Sequence, residues 1–372
     1  MSYSIAIIGA GWYGCHLASS LDAIGINVKV FEMNSRPLHE ASGNNQFRLH
    51  LGFHYARHYN TRMQSRDGYM RFVERYPSLS GQVINNVYAV PTKDSLIDFL
   101  TYRLIMTASG IDYSESANTS LTLNNIDGLL VTEERGLHTE TARAYFEQRL
   151  DGRLIFNCKV ESIKEKSNCI YVNGECFDYV IDATWGHFTT PPMKVFYEPT
   201  ILLYYELIET KNIFPALTFV DGPLCSIYPT EDPVLYTLSS VPHTPVGQFS
   251  TADEARSVKN KLDKNTVLQK VKCMESQVSQ YVPYFNEVFR FVAPQFSIKT
   301  KPIGSYDDRS CHVFKRGRVF SVMSGKIDTV FFAAERILSM LESLDSSRLT
   351  KVPSLLRQEI VSDNHFEGSK NV

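Results

Sequence analysis

The feature that most restricts the fold of this chain is its opening segment, "SIAIIGAGWYGCHLASSLDAIGINVKVFE". An Ile-rich strand leads into Gly9, Gly11 and Gly14, a helical apolar pattern follows, and a second strand ends at Glu32. This order predicts a strand-helix-strand unit with a GxGxxG turn. Gly9 allows the tight turn, Gly11 lets a pyrophosphate approach the backbone, and Gly14 lets the helix pack closely on the strand.

The same segment supplies groups for the polar parts of a dinucleotide. The helix after the glycines presents backbone N–H groups and its positive dipole end to phosphate. Glu32 ends the second strand, where an acidic side chain accepts hydrogen bonds from a ribose diol. The segment therefore predicts a bound dinucleotide without distinguishing NAD from FAD. The alternative is a tight strand-helix turn that holds no ligand.

Composition limits the size and partners of the protein. The 372 residues, 43% of them hydrophobic, are enough for two compact domains or one elaborated α/β unit. The 38 basic and 40 acidic residues leave a formal charge of −2, so we expect neither nucleic acid nor an acidic membrane surface as a partner. We find no run of about 18 apolar residues and no basic and apolar leader, so we expect no membrane span and no secretion signal.

The seven cysteines stand at positions 15, 158, 169, 176, 225, 273 and 311, without a CxxC pair. An odd number without such a pair argues against a disulfide framework and a zinc knuckle. We therefore expect reduced thiols and a cytoplasmic protein.

Beyond residue 60, helical and extended segments alternate. The pattern of "GLHTETARAYFEQRL" (136–150) predicts a core helix, and residues 154–186 predict several short strands that end in "VIDATWG". Residues 196–240 predict an antiparallel sheet, and 251–280 a long polar helix. The segment 318–344 predicts a strand, a Ser-Gly-Lys turn and an amphipathic helix, and a polar tail follows.

This order of elements resembles the D-amino-acid oxidase-like FAD-dependent oxidoreductases, the group of glycine oxidase, sarcosine oxidase and 2-hydroxyglutarate oxidase. The resemblance spans residues 3–343 and includes "ASGNNQFRLHLGFHY" and "SGKIDTVFFAAE". It implies an α/β fold with α+β elaboration: a Rossmann-like FAD-binding domain and an antiparallel-sheet substrate domain. The implied ranges are 1–80, 135–195 and 300–344 for the discontinuous FAD-binding domain, 81–134 and 196–299 for the substrate-binding domain, and 345–372 for a tail.

The resemblance also implies which residues contact FAD. "ASGNNQFRLHLGFHY" is similar to the segment that passes the flavin, "VIDATWG" to a second cofactor-contacting strand end, and the closing helix to the one that faces the flavin's pyrimidine edge. No cysteine or histidine matches a site of covalent attachment, so we expect non-covalent FAD. The implied cofactor-binding residues are Gly9, Gly11, Trp12, Tyr13, Gly14, Glu32, Asn44, Asn45, Arg48, Val160, Ala183, Trp185, Gly186, Ser324, Gly325, Lys326 and Ile327.

The chain departs from the family pattern at two places. The closing turn reads "SGK" at 324–326, where many relatives have a run of Gly and His, and the middle of the first motif carries the bulky pair Trp12-Tyr13. These departures leave the identity of the substrate open.

Histidines recur four residues apart, at 50, 54 and 58, in "NNQFRLHLGFHYARHYNTR" (44–62). This spacing suggests a metal-binding helix, and the arginines suggest a basic surface. From Arg48 to Tyr55, however, apolar and polar residues alternate, which indicates a strand. On a strand His50 and His54 lie about 13 Å apart at ~3.3 Å per residue, too far for one ion. We therefore expect no metal, and a polar strand face on which Gly52 leaves room for a flat ring.

This polar face supplies the candidate catalytic residues, Arg48, His50 and His54. Arg48 is expected to stabilise the anionic reduced flavin or to hold a substrate carboxylate in a bidentate manner. A neutral His50 or His54 suits transfer of a substrate proton near pH 7, and the alternative is that both are structural histidines. Candidate substrate-binding residues are Tyr55, Tyr228 and Arg57; the alternatives are core positions for the tyrosines and solvent exposure for the arginine.

Three functions are open at this point. The first is an FAD-dependent oxidase or dehydrogenase that takes a hydride from a carbon bearing an amine or hydroxyl group of a small or medium, anionic substrate. The second is a redox-neutral flavoenzyme that acts on a nucleotide sugar, as galactopyranose mutase-like proteins do. The third is a non-catalytic protein that keeps the cofactor-binding fold.

Overall fold

The computed structural model describes residues 3–115, 121–209, 213–304, 308–323 and 325–344. Its strands are β1 (Ser4–Ile8), β2 (Asn27–Phe31), β3 (Arg48–Leu49), β4 (Ser80–Gln82), β5 (Asn86–Pro91), β6 (Ile126–Thr132), β7 (Arg135–Leu137), β8 (Leu154–Ile155), β9 (Ile163–Glu165), β10 (Ile170–Val172), β11 (Glu175–Phe177), β12 (Tyr179–Asp182), β13 (Val195–Leu207), β14 (Leu217–Phe219), β15 (Cys225–Pro229), β16 (Leu235–Ser240), β17 (Phe289–Pro302), β18 (His312–Arg316) and β19 (Val319–Met323). Its α-helices are α1 (Trp12–Ala23), α2 (Tyr59–Arg75), α3 (Phe99–Ala108), α4 (Thr139–Arg149), α5 (Ala252–Asn260), α6 (Lys264–Val278), α7 (Phe285–Val288) and α8 (Val330–Leu344), and short 3-10 helices lie at Pro77–Leu79 and Ile327–Thr329.

The predicted strand-helix-strand unit forms the centre of a six-stranded sheet, in the order β18-β19-β12-β1-β2-β8. β2 and β12 flank β1, and both pair with it in parallel. Ile5 and Ile7 of β1 pack in a core with helices α1 and α8, whereas Ala6 and Ile8 pack in a core with β10 and β11. Because parallel strands end at the same edge, the segments that follow β1, β2 and β12 meet there.

The second large sheet has seven strands, in the order β17-β13-β16-β15-β14-β5-β6. Its pairs are antiparallel except for β14 with β5, which are parallel. The prediction of an antiparallel sheet at 196–240 is therefore correct for the strands within that range. Residues of α6, Val271 and Met274 among them, share a core with this sheet. The predicted single helix at 251–280 is wrong, since α5 ends at Asn260 and α6 begins at Lys264.

The two sheets draw on different parts of the chain. The six-stranded sheet takes its strands from 4–31, 154–182 and 312–323, and the seven-stranded sheet from 86–132, 195–240 and 289–302. The division into an FAD-binding and a substrate-binding domain stays a prediction. The predicted tail, 345–372, lies outside the described residues.

The prediction that all thiols are reduced is wrong for one pair. Cys169 and Cys176 form a disulfide, with Cα atoms 6.0 Å apart, across the hairpin of β10 and β11. The hairpin turn at Asn173 and Gly174, both with positive φ, places the two cysteines side by side, which their separation of seven positions in the sequence did not indicate. The other five cysteines are free. Among the described residues, no helix combines the length and the apolar character needed to cross a bilayer.

Candidate active site

The glycine turn after β1 leaves little room for side chains at two of its positions, Gly11 and Gly14. Gly9 has φ +94°, and its N–H donates to the carbonyl of Phe31. A Cβ on Gly14 would lie 1.9 Å from the Gly9 carbonyl oxygen, and one on Gly11 would lie 2.8 Å from Oγ of Ser42. A side chain at position 14 would therefore meet the turn itself, and one at position 11 would meet Ser42, so both positions favour glycine. The approach of a pyrophosphate to this backbone stays a prediction.

Glu32 lies at the end of β2, beside this turn, and is buried. Its Oε2 accepts a hydrogen bond from the Ala10 N–H at 2.8 Å, and its Oε1 accepts one from the Asn34 N–H at 2.8 Å. These bonds fix the carboxylate at the position where a dinucleotide-binding unit holds the ribose diol.

Two bulky residues of the motif have different environments. Trp12 is 1% exposed, and its indole packs against Phe72 and Phe146. Its side chain is thus part of the core. The hydroxyl of Tyr13 instead donates to the Lys326 carbonyl oxygen at 2.9 Å and accepts from the Gly325 N–H at 3.1 Å. Tyr13 therefore connects the first motif to the closing turn, although the two are more than 300 residues apart in sequence.

The end of β12 reaches the same edge of the sheet. The Ala183 N–H donates to the Ile8 carbonyl oxygen, so Ala183 lies beside the glycine turn. Trp185 and Gly186 both have positive φ, and their carbonyl oxygens accept hydrogen bonds from Thr300 and Tyr197. Val160 is 6% exposed and packs beneath this edge with Ile8 and Phe31.

Asn44 and Asn45 brace the loop that leads to β3. The amide nitrogen of Asn44 donates to the His39 and Glu40 carbonyl oxygens, and that of Asn45 to the Ala41 and Ser42 carbonyl oxygens. The side-chain amide donors therefore bind carbonyl oxygens of the loop itself. We infer that both residues affect a cofactor through the conformation of this loop. Ser324 lies outside the described residues, and Ile327 begins the short helix before α8.

The predicted strand over residues 48–55 is wrong beyond its first two residues. β3 contains only Arg48 and Leu49, and a turn at Gly52–Tyr55 follows, in which the Tyr55 N–H donates to the Gly52 carbonyl oxygen. Gly52 has φ +118°, and a Cβ there would lie 3.0 Å from the Arg62 carbonyl oxygen. The glycine therefore serves the turn and its packing on α2. It does not leave room for a ring between the histidines.

The turn brings the two candidate histidines together. The imidazole centroids of His50 and His54 lie 5.6 Å apart, far less than a continuous strand would give, and both rings contact the Tyr55 ring. Burial, strengthened by the positive charge of Lys326, lowers the pKa of His50 and of His54 well below the usual range. Both imidazoles are therefore neutral near pH 7, as the sequence analysis expected for a proton acceptor.

Arg48 is buried next to these histidines, with 6% of its surface exposed. One guanidinium nitrogen, Nη1, donates to Thr218 at 2.7 Å, and the group lies 4.2 Å above the Tyr228 ring. Its Nε and Nη2 atoms have no hydrogen-bond partner. These two N–H groups form one edge of the guanidinium, the geometry that binds a carboxylate through two parallel hydrogen bonds.

A buried carboxylate, Glu134, was missed by the sequence analysis. It is fully buried between β6 and β7, and it accepts hydrogen bonds from the Tyr88 hydroxyl and the Leu51 N–H, both at 2.6 Å. Its Oε1 lies 3.9 Å from Nδ1 of His50. Burial raises the pKa of Glu134. The only local signal is the position of "EE" at 133–134 between two strands, which does not tell which glutamate points inward.

Lys299 and Lys326 add positive charge to the same place. Nζ of Lys326 lies 5.2 Å from the centre of the Tyr55 ring, and both lysines act electrostatically on His54. Burial lowers the pKa of Lys326 and lowers that of Lys299 to about 8. Lys299 is a second residue that the sequence analysis missed, since it lies within the long strand β17 without any motif around it.

Of the predicted substrate-binding residues, Arg57 lies apart from this cluster, whereas Tyr228 and Tyr55 contact its members. Arg57 is exposed and forms an ion pair with Asp221. Tyr228 is fully buried beneath Arg48, and its hydroxyl donates to the Arg135 carbonyl oxygen at 3.3 Å. Its ring thus supports the guanidinium. Tyr55 lies between the histidines and Lys326, and its hydroxyl has no hydrogen-bond partner.

These residues fit FAD at the carboxyl edge of the six-stranded sheet. The glycine turn and Glu32 suit the pyrophosphate and the ribose, while the closing turn at Gly325 and Lys326, linked to Tyr13, suits the flavin end. Within the described ranges, no group of three or more His, Cys, Asp or Glu side chains is arranged to hold a metal ion.

Comparisons with known proteins agree with this geometry. The FAD dependent oxidoreductase family model matches residues 4–293. The FAD-dependent monooxygenase FPY4 of Fusarium mangiferae is 56% identical over 340 residues, which cover 91% of each chain. The FAD-dependent monooxygenase kojA of Aspergillus flavus is 26% identical, over 92% of this chain and 87% of its own.

A solved structure shows the same fold. Glycine oxidase from Geobacillus kaustophilus superposes with a TM-score of 0.68 at 14% identity, over 92% of this chain and 95% of its own. The resemblance to D-amino-acid oxidase-like proteins and the FAD cofactor inferred from it are confirmed, and so is the Rossmann-like α/β fold. The chain therefore belongs to the FAD dependent oxidoreductase family and is an FAD-dependent oxidoreductase.

Proposed function

We propose that this enzyme oxidises a C–N or C–OH bond of a small or medium anionic substrate, at the cluster of Arg48, His50, His54 and Lys326. One observation carries the proposal: basic side chains around the two histidines have no ion pair within 4.0 Å with a described carboxylate. These are Arg48, Lys299 and Lys326. Asp328 acts electrostatically on Lys326, and Glu198 acts on Lys299. The buried donor edge of Arg48, which has no partner, is therefore the part of the cluster that favours an anionic ligand.

Arg48 is the residue we assign to the substrate's anionic group. Its Nε and Nη2 edge is buried and without a partner, and a carboxylate or a similar planar anion satisfies both donors at once. Because this edge is shielded from water, the anion reaches it only when a neighbouring side chain moves. Lys326 and Lys299 supply further positive charge nearby.

His50 and His54 are the groups we assign to proton transfer. The substrate loses a hydride from carbon and a proton from its nitrogen or oxygen, and becomes an imine or a carbonyl compound. A neutral imidazole accepts that proton, and both histidines are kept neutral by burial. Nδ1 of each has no hydrogen-bond partner. FAD, bound non-covalently, supplies the two-electron acceptor for the hydride.

The test is an anaerobic screen of purified enzyme with oxidised FAD against amino acids, 2-hydroxy acids, amino sugars and nucleotide sugars. We expect bleaching of the flavin absorbance by an amine or hydroxy compound that carries a carboxylate, without any added reductant. Conversion of a nucleotide sugar only after reduction by dithionite would support the redox-neutral alternative instead.

A second candidate function is monooxygenation, because the relative that is 56% identical carries that name. The two functions differ in what happens to oxygen. Incubation under ¹⁸O₂ places the label in the product of a monooxygenase. In the proposed oxidation, the product carries no label from O₂.

The proposed anion site has a pH dependence. Burial lowers the pKa of Lys299 to about 8, so its ammonium is charged below that pH and neutral above it. We therefore expect KM for the anionic substrate to rise as pH increases through about 8, while kcat changes less. In Lys299→Arg this rise should move to higher pH, because a guanidinium stays charged. A KM that is flat from pH 7 to 9.5 in both proteins would contradict the assignment.

A further inference from the structure

Helix α5 packs on the seven-stranded sheet. It places the cation Arg256 at the edge where the predicted cofactor-binding segments meet. The helix is fixed at its start by a capping box between Thr251 and Glu254. Ala252 and Ala255 pack in one cluster with Tyr197 and Ile298, which belong to β13 and β17. Small side chains on this face let the helix approach the sheet closely, so the position of Arg256 is well defined.

The guanidinium of Arg256 connects the two sides of the glycine turn. Its Nη1 lies 3.8 Å from Sδ of Met33, just after β2, and its Nη2 lies 3.4 Å from Nδ1 of His187, which follows β12. Since β1 lies between β2 and β12, Arg256 joins the segments that flank the turn containing Gly9.

Neither neighbour of Arg256 carries a negative charge. Burial lowers the pKa of His187 to about 4, so this imidazole is neutral at pH 7, and the Met33 thioether is neutral at any pH. No described carboxylate lies within 4.0 Å of the guanidinium. Lys259, one turn later on α5, does have such a partner, since its Nζ donates to Glu40 at 3.0 Å. Glu40 acts electrostatically on Arg256 but forms its ion pair with Lys259. Arg256 therefore has no ion pair with a described carboxylate within 4.0 Å, and it contacts the two segments that flank the predicted pyrophosphate turn.

We propose that Arg256 is a cofactor-binding residue, which holds the pyrophosphate of FAD against the glycine turn from the opposite side. A guanidinium suits a phosphate because its planar N–H groups bind two oxygens at once. The ion pair of Lys259 with Glu40 holds α5 against the loop after β2 and so keeps the cation in place. Because the role is retention of FAD, it does not depend on which substrate the enzyme oxidises.

The test compares FAD binding to apoprotein of the wild type, Arg256→Met, Arg256→Lys and the control Lys261→Met, followed by flavin fluorescence. Lys261 is exposed and directly follows the last residue of the same helix. We expect Arg256→Met to raise the Kd about tenfold, which corresponds to about 1.4 kcal/mol, and Arg256→Lys to raise it less. The control should bind FAD as the wild type does. Unfolding temperatures of the four apoproteins should agree.

Competition with fragments of the cofactor tests the assignment to the pyrophosphate. The dissociation constant of ADP, obtained from its competition with FAD, should rise in Arg256→Met by the same factor, whereas that of adenosine should not change. Wild-type affinity of Arg256→Met for FAD would overturn the proposal, as would an equal loss in Lys261→Met. An equal loss of affinity for adenosine and for ADP would assign the contact of Arg256 to the adenosine part of FAD, and would also overturn the proposal.

Discussion

Gly11→Val is expected to give a folded protein that is purified without its yellow colour. Gly11 has φ −73°, a conformation that valine adopts freely, so the backbone is not strained. The added Cβ would instead lie 2.8 Å from Oγ of Ser42, and its methyl groups would fill the space through which the pyrophosphate is predicted to approach. We expect the affinity for FAD to fall on the order of a thousandfold, or about 4 kcal/mol, in a titration of apoprotein.

A double variant separates the two effects of the valine. Ser42→Ala removes the hydroxyl that the valine would meet, so Gly11→Val/Ser42→Ala relieves the contact within the protein but still blocks the cofactor. Both variants should lack FAD, and Ser42→Ala alone should keep it. If the double variant is yellow, the glycine is needed only to avoid Ser42, and the pyrophosphate does not pass this point.

Arg48→Met is expected to cause the largest loss of activity. Breaking a buried pair of hydrogen-bonded charges costs about 2–5 kcal/mol, so kcat/KM for an anionic substrate should fall by about 30-fold to 4,000-fold. The kcat/KM of Arg48→Lys should lie between those of the wild type and Arg48→Met, because lysine keeps the charge but lacks the paired donors. The measurement is steady-state turnover, together with the bound flavin content of each variant.

Arg103→Met is the matched control for this loss. Arg103 is a partly exposed arginine of α3, paired with Glu115, so its removal should leave kcat/KM unchanged. Equal activity of Arg48→Met and Arg103→Met would remove Arg48 from the substrate site. A loss of bound FAD in Arg48→Met would instead make it a flavin-holding residue.

The first strand-helix-strand unit was predictable because its determinants are local. The glycines, the apolar strand and Glu32 act within about 30 residues, and each has one physical role that its residue type reveals. The closing strand and helix were likewise predictable from local patterns, namely the apolar residues of β19 and the apolar stripe of α8.

Residues 48–55 show where such reasoning fails. Alternation over a few residues predicted a strand, but the positive φ of Gly52 ends the extended conformation and turns His54 back toward His50. A glycine within an alternating run is compatible with both a strand and a turn, and the choice depends on packing against Arg62. The sequence analysis therefore placed His50 and His54 on one face but predicted too large a distance between them.

The charges that surround the histidines were not predictable, because they come from distant parts of the chain. Glu134 lies between β6 and β7, and Lys299 lies within β17. Neither belongs to a recognisable motif, and their burial next to His50 and His54 results from the packing of both sheets. Sequence reasoning thus identified the basic residue Arg48 but not the other charged side chains that surround the histidines.

The most direct test of this account is stopped-flow reduction of enzyme-bound FAD, without oxygen, by a substrate from the screen and by its neutral methyl ester. We expect the carboxylate substrate to bleach the flavin rapidly. The ester should reduce the flavin at least about a hundredfold less efficiently, because it offers no anionic partner to the two buried donors of Arg48. In Arg48→Met the two compounds should differ little. Equal reduction of the wild-type enzyme by acid and ester would contradict the claim that the site selects an anion.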